Sequence, residues 1–216
     1  MHQLLKHPLV LKLLTAVFFV SCISILSLVY GPVLFVEARY QYKKVLKEVF
    51  HAEDLRSLIL PTVNTDGIGV KYRDFGMQIP KLYLNEPVIF NVDPHEKDVY
   101  SDALKKGIAH AAGTDLPAYD GLGYYFAHSS NPELRSQYNA VFYLLGKLEK
   151  GDDIYIWYQN TKYEYIVTEI DVTTPDDVRF LSRSYELPTI VLQTCWPPGT
   201  TQKRLLVFAE RKTTSE

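Results

Sequence analysis

From residue 67 onward, the sequence is a series of short segments rich in β-branched and aromatic residues, separated by Pro, Gly, Asn or Asp. This spacing is typical of strands joined by turns, and two short helical patterns interrupt it, at Ser101–Gly107 and Gln137–Leu148. The predicted strands are Ile68–Tyr72, Gly76–Ile79, Pro87–Val92, Gly121–His128, Asp153–Gln159, Lys162–Asp171, Thr189–Thr194 and Leu205–Glu210. Many short strands and few helices predict a mainly β domain, built as a barrel or a sandwich.

The front of the chain has a different character. No charged residue occurs from Leu13 to Tyr30, and the apolar stretch continues to Val36. Its length predicts an uncleaved transmembrane helix, which Gly31–Pro32 would kink or end near one interface. Apolar residues at helical spacing then predict a stalk helix over Glu37–Leu60. The expected organisation is a cytoplasmic tip and transmembrane anchor over residues 1–36, a helical stalk and linker over 37–66, and a folded domain over 67–216.

Charge and cysteine content exclude several classes of function. The formal net charge is -2 and the pI about 6.3, so the chain lacks the positive field of a nucleic-acid-binding protein. Cys22 lies in the apolar front segment and Cys195 in the folded part, so a disulfide framework is not expected. Neither Cys-x-x-Cys nor His-Glu-x-x-His occurs, and we expect no metal site and no cofactor.

Cys195 is the candidate nucleophile. It follows the predicted strand Thr189–Thr194 and precedes a Pro-Pro-Gly turn, and reactive groups are often placed at such strand ends. A thiol nucleophile needs a partner that raises its thiolate fraction. Two histidines are suitable, His128 at the end of a predicted strand and His110 at the end of a helical pattern. The pattern of residues alone leaves the choice between these two open.

Arg204 is the candidate cation. It begins the strand that follows the turn, nine positions after Cys195, so a closed hairpin would place it beside the thiol. A guanidinium at that position can stabilise a developing oxyanion or bind substrate carbonyls. Lys203, Arg135 and Arg183 are further candidate cations, and an exposed strand-end arginine without a catalytic role is the commoner case.

These residues stand in a pattern that resembles the sortase family. Thr-Cys-Trp-Pro-Pro-Gly-Thr over residues 194–200, followed by Lys203-Arg204-Leu205, resembles the sortase active-site hairpin, in which Thr-Cys ends one strand and Arg opens the next. The segment 107–129, with Gly-Ile-Ala-His, Gly-Thr, Leu-Pro and Phe-Ala-His-Ser, resembles the segment that carries the sortase histidine. Ile-Pro-Lys-Leu at 79–82 and Gly-Asp-Asp-Ile at 151–154 also recur in sortases. The resemblance covers residues 67–210.

The resemblance implies a sortase-like closed eight-stranded β-barrel with short helices, held outside the membrane by the N-terminal transmembrane helix. It implies a catalytic trio of Cys195, His128 and Arg204, because the second histidine of the upstream segment is the catalytic one in sortases. Thr194 and His110 are expected to be substrate-binding residues beside this trio. The long loop between Thr173 and Pro188 is expected to help select the peptide.

The activity that the resemblance implies is acyl transfer from a Leu-Pro-x-Thr-Gly-like sorting signal, through a thioester, to an amine. The expected partners are surface proteins with a C-terminal sorting signal, an amine acceptor from a cell-wall precursor or a protein lysine, and the membrane, with no nucleic acid. The expected location is the bacterial cell membrane, with a single pass and an extracytoplasmic catalytic domain. The charges that flank the apolar segment weakly favour the opposite orientation, so the expected one follows from the resemblance.

Two other functions fit the same residues. A cysteine hydrolase would use the same trio with water as the acceptor. A non-catalytic, membrane-tethered binding barrel would keep Cys195 as a structural residue, and a Cys195→Ala variant with every activity intact would favour it.

Overall fold

The structure, a computed structural model, describes residues 8–49, 70–130 and 140–212. Within these ranges, eight strands form where β-branched and aromatic residues alternate with polar ones or fill a buried run. They are β1 (Phe75–Ile79), β2 (Leu84–Val92), β3 (Ile108–Ala111), β4 (Leu122–Phe126), β5 (Asp153–Tyr158), β6 (Thr161–Thr173), β7 (Thr189–Trp196) and β8 (Lys203–Arg211). They close into a barrel in the order β1-β2-β3-β4-β7-β8-β6-β5. The predicted mainly β, closed eight-stranded barrel is confirmed.

The direction of each strand relative to its neighbour determines which strands end at the same rim of the barrel. The β2–β3 and β4–β7 pairs are parallel, whereas the other pairs in the barrel are antiparallel. Gln159 and Asn160, with φ of 48° and 63°, form the tight turn between β5 and β6, one residue earlier than the gap between the predicted strands Asp153–Gln159 and Lys162–Asp171. The parallel β4–β7 pair matters most for function, because parallel neighbours end at the same rim.

Three local predictions are wrong. His110 does not end a helix: α2 (Lys97–Leu104) ends earlier, and His110 lies in β3, whose pairing with β2 and β4 outweighs the local pattern. The helix expected over Gln137–Leu148 is instead the 3-10 helix η2 (Tyr143–Lys147), and residues 137–139 lie outside the described ranges. Residues 70–72 form no strand. Two further 3-10 helices are η1 (Pro80–Leu82) and η3 (Arg179–Ser182).

A long helix, α1 (Pro8–Val49), precedes the barrel. It does not end at Gly31–Pro32 as predicted, because a proline removes only one backbone donor and the helix continues on both sides. The stalk helix is described as far as Val49, and the rest of the predicted stalk and linker lies outside the described residues. The sequence predicts a transmembrane helix within residues 1–36, whereas in the described part of the chain no helix is both long enough and apolar enough to cross a membrane.

The two faces of β4, β7 and β8 pack against different clusters. The inner face belongs to the main core of the barrel, with Tyr125, Leu192 and Val207 fully buried. The outer face carries a smaller cluster of buried residues, Ala111, Tyr124, Phe180, Val191, Leu206 and Phe208. Because side chains alternate along a strand, a shift of one position moves a residue from one cluster to the other.

Candidate active site

Cys195 and Arg204 face each other across the β7–β8 hairpin. Cys195, in β7, is the direct cross-strand partner of Arg204 near the start of β8. Directly opposed residues of an antiparallel pair have Cβ atoms about 5 Å apart and point to the same face. The hairpin therefore places the guanidinium beside the thiol, as the sequence predicts.

His128 reaches the same rim from β4. In the parallel β4–β7 pair, Tyr124 lies opposite Val191. All the other residue pairs of these two strands have the same separation in sequence. That offset places His128 level with Cys195, two residues beyond the end of β4. Neighbouring strands lie about 4.8 Å apart. His128, Cys195 and Arg204 are therefore level at one rim, with Cys195 in β7, Arg204 in β8 and His128 just beyond β4.

Three hydrogen bonds fix the backbone at this level. The Ala127 N–H donates to the Gln193 carbonyl over 3.2 Å, which extends the β4–β7 ladder past the end of β4. The Thr194 hydroxyl donates to the Ala127 carbonyl over 2.9 Å. The Phe142 N–H donates to the His128 carbonyl over 2.9 Å. The histidine is thus held by its neighbours on both sides, although it lies outside a regular strand.

The alternation of side chains separates the two candidate histidines. Tyr124 lies on the outer face of β4 and Cys195 on the outer face of β7, and the same alternation, continued two residues past the end of β4, would place His128 on that face as well. His110 pairs with Tyr125 on the inner face, and their ring centroids lie 5.2 Å apart. His110 therefore lies on the opposite face of the sheet from Cys195, and His128 remains the candidate partner of the thiol.

His110 and Thr194 are buried, which does not support their predicted contact with substrate. His110 is 1% exposed, and its Nε2 lies 3.1 Å from the Asp115 carbonyl oxygen and 3.3 Å from Thr114 Oγ1. Burial lowers the pKa of His110 and so favours the neutral ring. Thr194 is 3% exposed and points to the inner face. Each of the two side chains hydrogen-bonds to a backbone carbonyl, that of Thr194 to Ala127 and that of His110 to Asp115.

Besides the thiol and the Arg204 guanidinium, His128 and Tyr124 are ionisable groups at the rim. Burial lowers the pKa of His128, so its neutral form is favoured in the absence of a charged partner. The phenol of Tyr124 is 8% exposed, and burial raises its pKa, with opposing effects from Arg204, which lowers it, and Cys195, which raises it. Tyr124 therefore keeps its proton and stands near both the nucleophile and the cation.

Of the three candidate cations within the described residues, Arg204 alone lies opposite Cys195. Its Nη1 donates to the Thr201 and Lys203 carbonyls over 3.2 and 3.1 Å, whereas a guanidinium carries five N–H donors in all. Lys203 lies opposite Trp196 and so points to the other face. Arg183 forms an ion pair with Glu169 over 2.9 Å. The fourth candidate, Arg135, lies outside the described residues.

The β6–β7 loop (residues 174–188) covers part of the outer face. Its 3-10 helix η3 inserts Phe180 against Tyr124 and Phe208, with ring centroids 5.4 and 6.3 Å apart. The Tyr185 hydroxyl donates to the Phe180 carbonyl over 2.8 Å. A cavity of about 310 Å³ lies between this loop and β6 and β8. The loop predicted to be functional therefore packs on the outer face of the barrel, beside the rim.

Sequence reasoning missed Tyr124 and Trp196. Tyr124 stands four positions before His128, and the period of two along a strand could have placed it on the same face. Trp196 directly follows Cys195, and its indole lies against the backbone of Gly146 in η2. No signal in the sequence links Gly146 to Trp196, because the contact joins distant segments.

The comparisons with known proteins agree with this geometry. The family model described as "Sortase domain" matches residues 77–212, which includes all three residues of the trio. A curated relative, sortase D of Bacillus subtilis, is 24% identical over 140 residues. The match covers 63% of this chain, and the chain spans 63% of the length of that relative.

Solved structures give the same result. The sortase C1 of Streptococcus suis has a TM-score of 0.54 at 27% identity, over 65% of this chain and 74% of that chain. A Clostridium perfringens sortase C, solved with the C-terminal cell wall sorting motif, has a TM-score of 0.54 at 25% identity, over 85% of this chain and 89% of that chain. With the trio level at one rim and the family model spanning the barrel, the chain belongs to the sortase family.

Proposed function

We propose that this protein is a cysteine transpeptidase that cleaves a peptide sorting signal through a thioester on Cys195 and transfers the acyl group to an amine. The observation that carries the proposal is the level placement of His128, just beyond β4, with Cys195 in β7 and Arg204 in β8. Membership of the sortase family supports the same reaction class.

In the first half of the reaction, the Cys195 thiolate attacks a backbone carbonyl carbon of the bound peptide. The C–S bond forms, and the carbonyl oxygen becomes an oxyanion beside the rim. When the C–N bond breaks, the protonated His128 ring gives its proton to the leaving amine, and the acyl group stays on the sulfur as a thioester. His128 is level with Cys195, so one ring can serve both the thiol and the leaving group.

In the second half, an amine enters the space left by the first product. The neutral His128 takes a proton from it as its nitrogen attacks the thioester carbonyl. The C–S bond then breaks, and the new amide leaves. Burial lowers the pKa of His128, so the neutral base that this half needs is the favoured form.

Arg204 is suited to stabilise the charge that develops on the oxyanion. Its guanidinium is always charged, and its planar set of donors can hold a carbonyl oxygen as well as the oxyanion. The neutral phenol of Tyr124 lies near both Arg204 and Cys195, where a proton donor adds to the same field. The β6–β7 loop is placed to contact the peptide, since Phe180 and its neighbours form the wall beside the rim.

For the substrate, we propose a Leu-Pro-x-Thr-Gly-like sorting signal at the C-terminus of a surface protein. The support is the hairpin motif of the sequence and the Clostridium perfringens relative solved with a cell wall sorting motif. We propose an amine of a cell-wall precursor or a protein lysine as the acceptor.

We also propose that the front of the chain attaches the enzyme to a membrane at the cell surface, with the barrel outside. The support is the uncharged run from Leu13 to Tyr30 and the large apolar side chains exposed along it in α1, for example Phe18 and Phe19 at 63% and 64%. Recovery of the full chain in a carbonate-washed membrane fraction is expected. A chain released by carbonate would contradict stable attachment.

The test of the reaction uses the full chain, a Leu-Pro-x-Thr-Gly peptide library and a set of amines, with products followed by mass spectrometry. Amine-linked products that disappear in Cys195→Ala and His128→Ala are expected. Products that carry only a new carboxyl group, with every amine present, would favour the hydrolase. Full activity in Cys195→Ala would overturn the proposal in favour of a binding barrel.

A further inference from the structure

The 3-10 helix η2 (Tyr143–Lys147) contacts both sides of the proposed catalytic pair. At its N-terminal end, the residue that precedes it, Phe142, donates its N–H to the carbonyl of His128 over 2.9 Å. Near its C-terminal end, Gly146 lies against the indole of Trp196, the residue next to Cys195. A single short element thus touches the backbone of the base and the neighbour of the nucleophile.

The contact between Gly146 and Trp196 leaves no room for a larger residue. A Cβ on Gly146 would lie 2.7 Å from both Cη2 and Cζ3 of the indole, which is closer than Cβ atoms approach other atoms in proteins. Trp196 is partly buried and packs against the main core of the barrel. The ring therefore cannot move away freely, and glycine at this position sets how closely η2 approaches the Cys195 hairpin.

The other end of η2 is held by helix α1. Lys147 Nζ lies 2.8 Å from Glu37 Oε1 and 4.6 Å above the centre of the Tyr40 ring. The hydrogen bond from Lys147 lowers the pKa of the Glu37 carboxyl. Tyr40 also packs edge to face against Tyr83, with ring centroids 6.2 Å apart. The part of α1 near Glu37 and Tyr40 is therefore docked on the barrel through η2.

We propose that Gly146 and Lys147 are positioning residues: η2 sets the separation of Cys195 and His128, and the docking of α1 holds η2 in place. The physical reason is that reacting groups displaced by about 1 Å can lose about 100-fold in rate. This inference rests on the proposed roles of Cys195 and His128, and it adds the N-terminal helix to the apparatus that aligns them.

The first experiment tests the contact between Gly146 and Trp196 by changing the size of each residue. In the full chain with Cys22→Ser, Gly146→Ala is expected to lower kcat by about 10-fold with little change in KM, because the peptide site is intact. Trp196→Phe removes the two ring atoms that a Cβ would meet, so Gly146→Ala is expected to cost at most about 2-fold in that background. Gly31→Ala is the matched control, since no atom lies within 4 Å of the Cβ it adds.

A second measurement does not need the peptide. The pH dependence of the alkylation rate of Cys195 by iodoacetamide reports the thiol and its histidine partner. Gly146→Ala is expected to move the midpoint of that profile toward the profile of His128→Ala, and Trp196→Phe is expected to return it. A change in folding stability alone would leave the midpoint where it is.

The ion pair provides the second arm of the test. Glu37→Lys and Lys147→Glu are each expected to lower kcat about 3-fold, and the double variant with the charges exchanged is expected to recover it. Asp102→Lys and Lys105→Glu form the matched control, an exposed pair 2.6 Å apart on α2, away from η2. The proposal is supported if Trp196→Phe restores the kcat lost in Gly146→Ala and if the charge exchange restores the kcat lost in the single reversals.

The outcomes separate this inference from the proposed function. If Cys195→Ala is fully active, the proposed function fails, and the inference fails with it. If Cys195→Ala is inactive but Gly146→Ala costs the same in both backgrounds, or costs nothing, the positioning role of Gly146 is overturned. If the charge exchange restores nothing, or neither single reversal lowers kcat, the role of α1 is overturned.

Discussion

The inner and outer faces of β4, β7 and β8 use the same backbone for different tasks. The inner face is buried and holds Thr194, with His110 of β3 packed against it, whereas the outer face leads to the rim with His128, Cys195 and Arg204. Neighbours in sequence, such as Thr194 and Cys195, therefore differ in burial and in role. The hydrogen bonds between β4, β7 and β8 therefore hold the core together and also fix the relative positions of the reactive groups.

The largest expected effect comes from the outer face. Cys195→Ala is expected to lower the transpeptidation rate by at least about 10³-fold, since no other group can form the thioester. His128→Gln is expected to cost about 10²–10⁴-fold, the range for a general acid–base group. Single-turnover assays with intact protein mass spectrometry would detect the thioester. An unchanged rate in either variant would contradict the assignment of the reactive groups to the outer face.

Arg204 is expected to have the next largest effect. Arg204→Gln should lower kcat about 10²–10³-fold, as for removal of an oxyanion donor. Arg204→Lys keeps the charge but not the planar set of donors, so we expect it to recover only part of the loss. Lys203→Gln, on the opposite face of the same strand, should stay within about 2-fold. Equal losses at Lys203 and Arg204 would show that the face of the strand does not matter.

On the inner face, we expect losses of stability without losses of chemistry. His110→Leu removes the part-buried hydrogen bond from the ring to the Asp115 carbonyl, and the loss of such a bond costs about 0.5–1.5 kcal/mol of the free energy of unfolding. The kcat of the folded fraction should stay within about 3-fold. Urea unfolding and activity below the transition would be measured on the same sample. A large loss of kcat with unchanged stability would assign His110 to the site instead.

The two histidines should also make stability depend on pH. Burial lowers the pKa of both His110 and His128, so the folded state favours their neutral forms. The unfolded chain therefore binds more protons as pH falls below about 6.5, and the free energy of unfolding should fall from pH 7 toward pH 5. His110→Gln keeps a donor near the position of Nε2 but cannot titrate, so it should reduce this slope. An unchanged slope would contradict the burial effect.

The smallest expected effect is at Thr194. Thr194→Val keeps the shape of the side chain but removes the bond to the Ala127 carbonyl, so a loss of about 1 kcal/mol of the free energy of unfolding is expected. Because that bond also holds the backbone beside His128, kcat should fall by less than about 5-fold. Serine at this position, which keeps the hydroxyl, should recover the rate. A loss as large as that of Cys195→Ala would mean that Thr194 contacts the substrate.

The sequence predicts the fold class and the Cys195–Arg204 hairpin well because both depend on short-range patterns. Alternation along the chain marks the strands, and the Thr-Cys and Arg positions mark the two sides of one hairpin. It fails where distant contacts decide. His110 follows a helical pattern, yet β3 forms there because β2 and β4 pair with it on both sides. The 3-10 form of η2 likewise follows from its contacts with His128 and Trp196.

The roles of individual residues at the site are also hard to predict from sequence, because they depend on contacts between distant segments. Thr194 and His110 are close to the trio in sequence or in motif, but one position along a strand turns a side chain into the core. Tyr124 is four positions from His128, yet its nearness to Arg204 depends on the order of strands in the barrel, which alternation does not reveal. Sequence patterns therefore give the chemistry of the groups, and the pairing of strands gives their orientation.

The parallel pairing of β4 with β7 has a consequence for biosynthesis. His128 and Cys195 are 67 positions apart, and they meet only when a long segment has been closed by non-local strand contacts. A ribosome must therefore complete β7, and β7 must pair with β4, before the two residues can meet. If they act as the proposed catalytic pair, an unfinished chain would lack the assembled site. The topology would then delay the onset of activity until this pairing has formed.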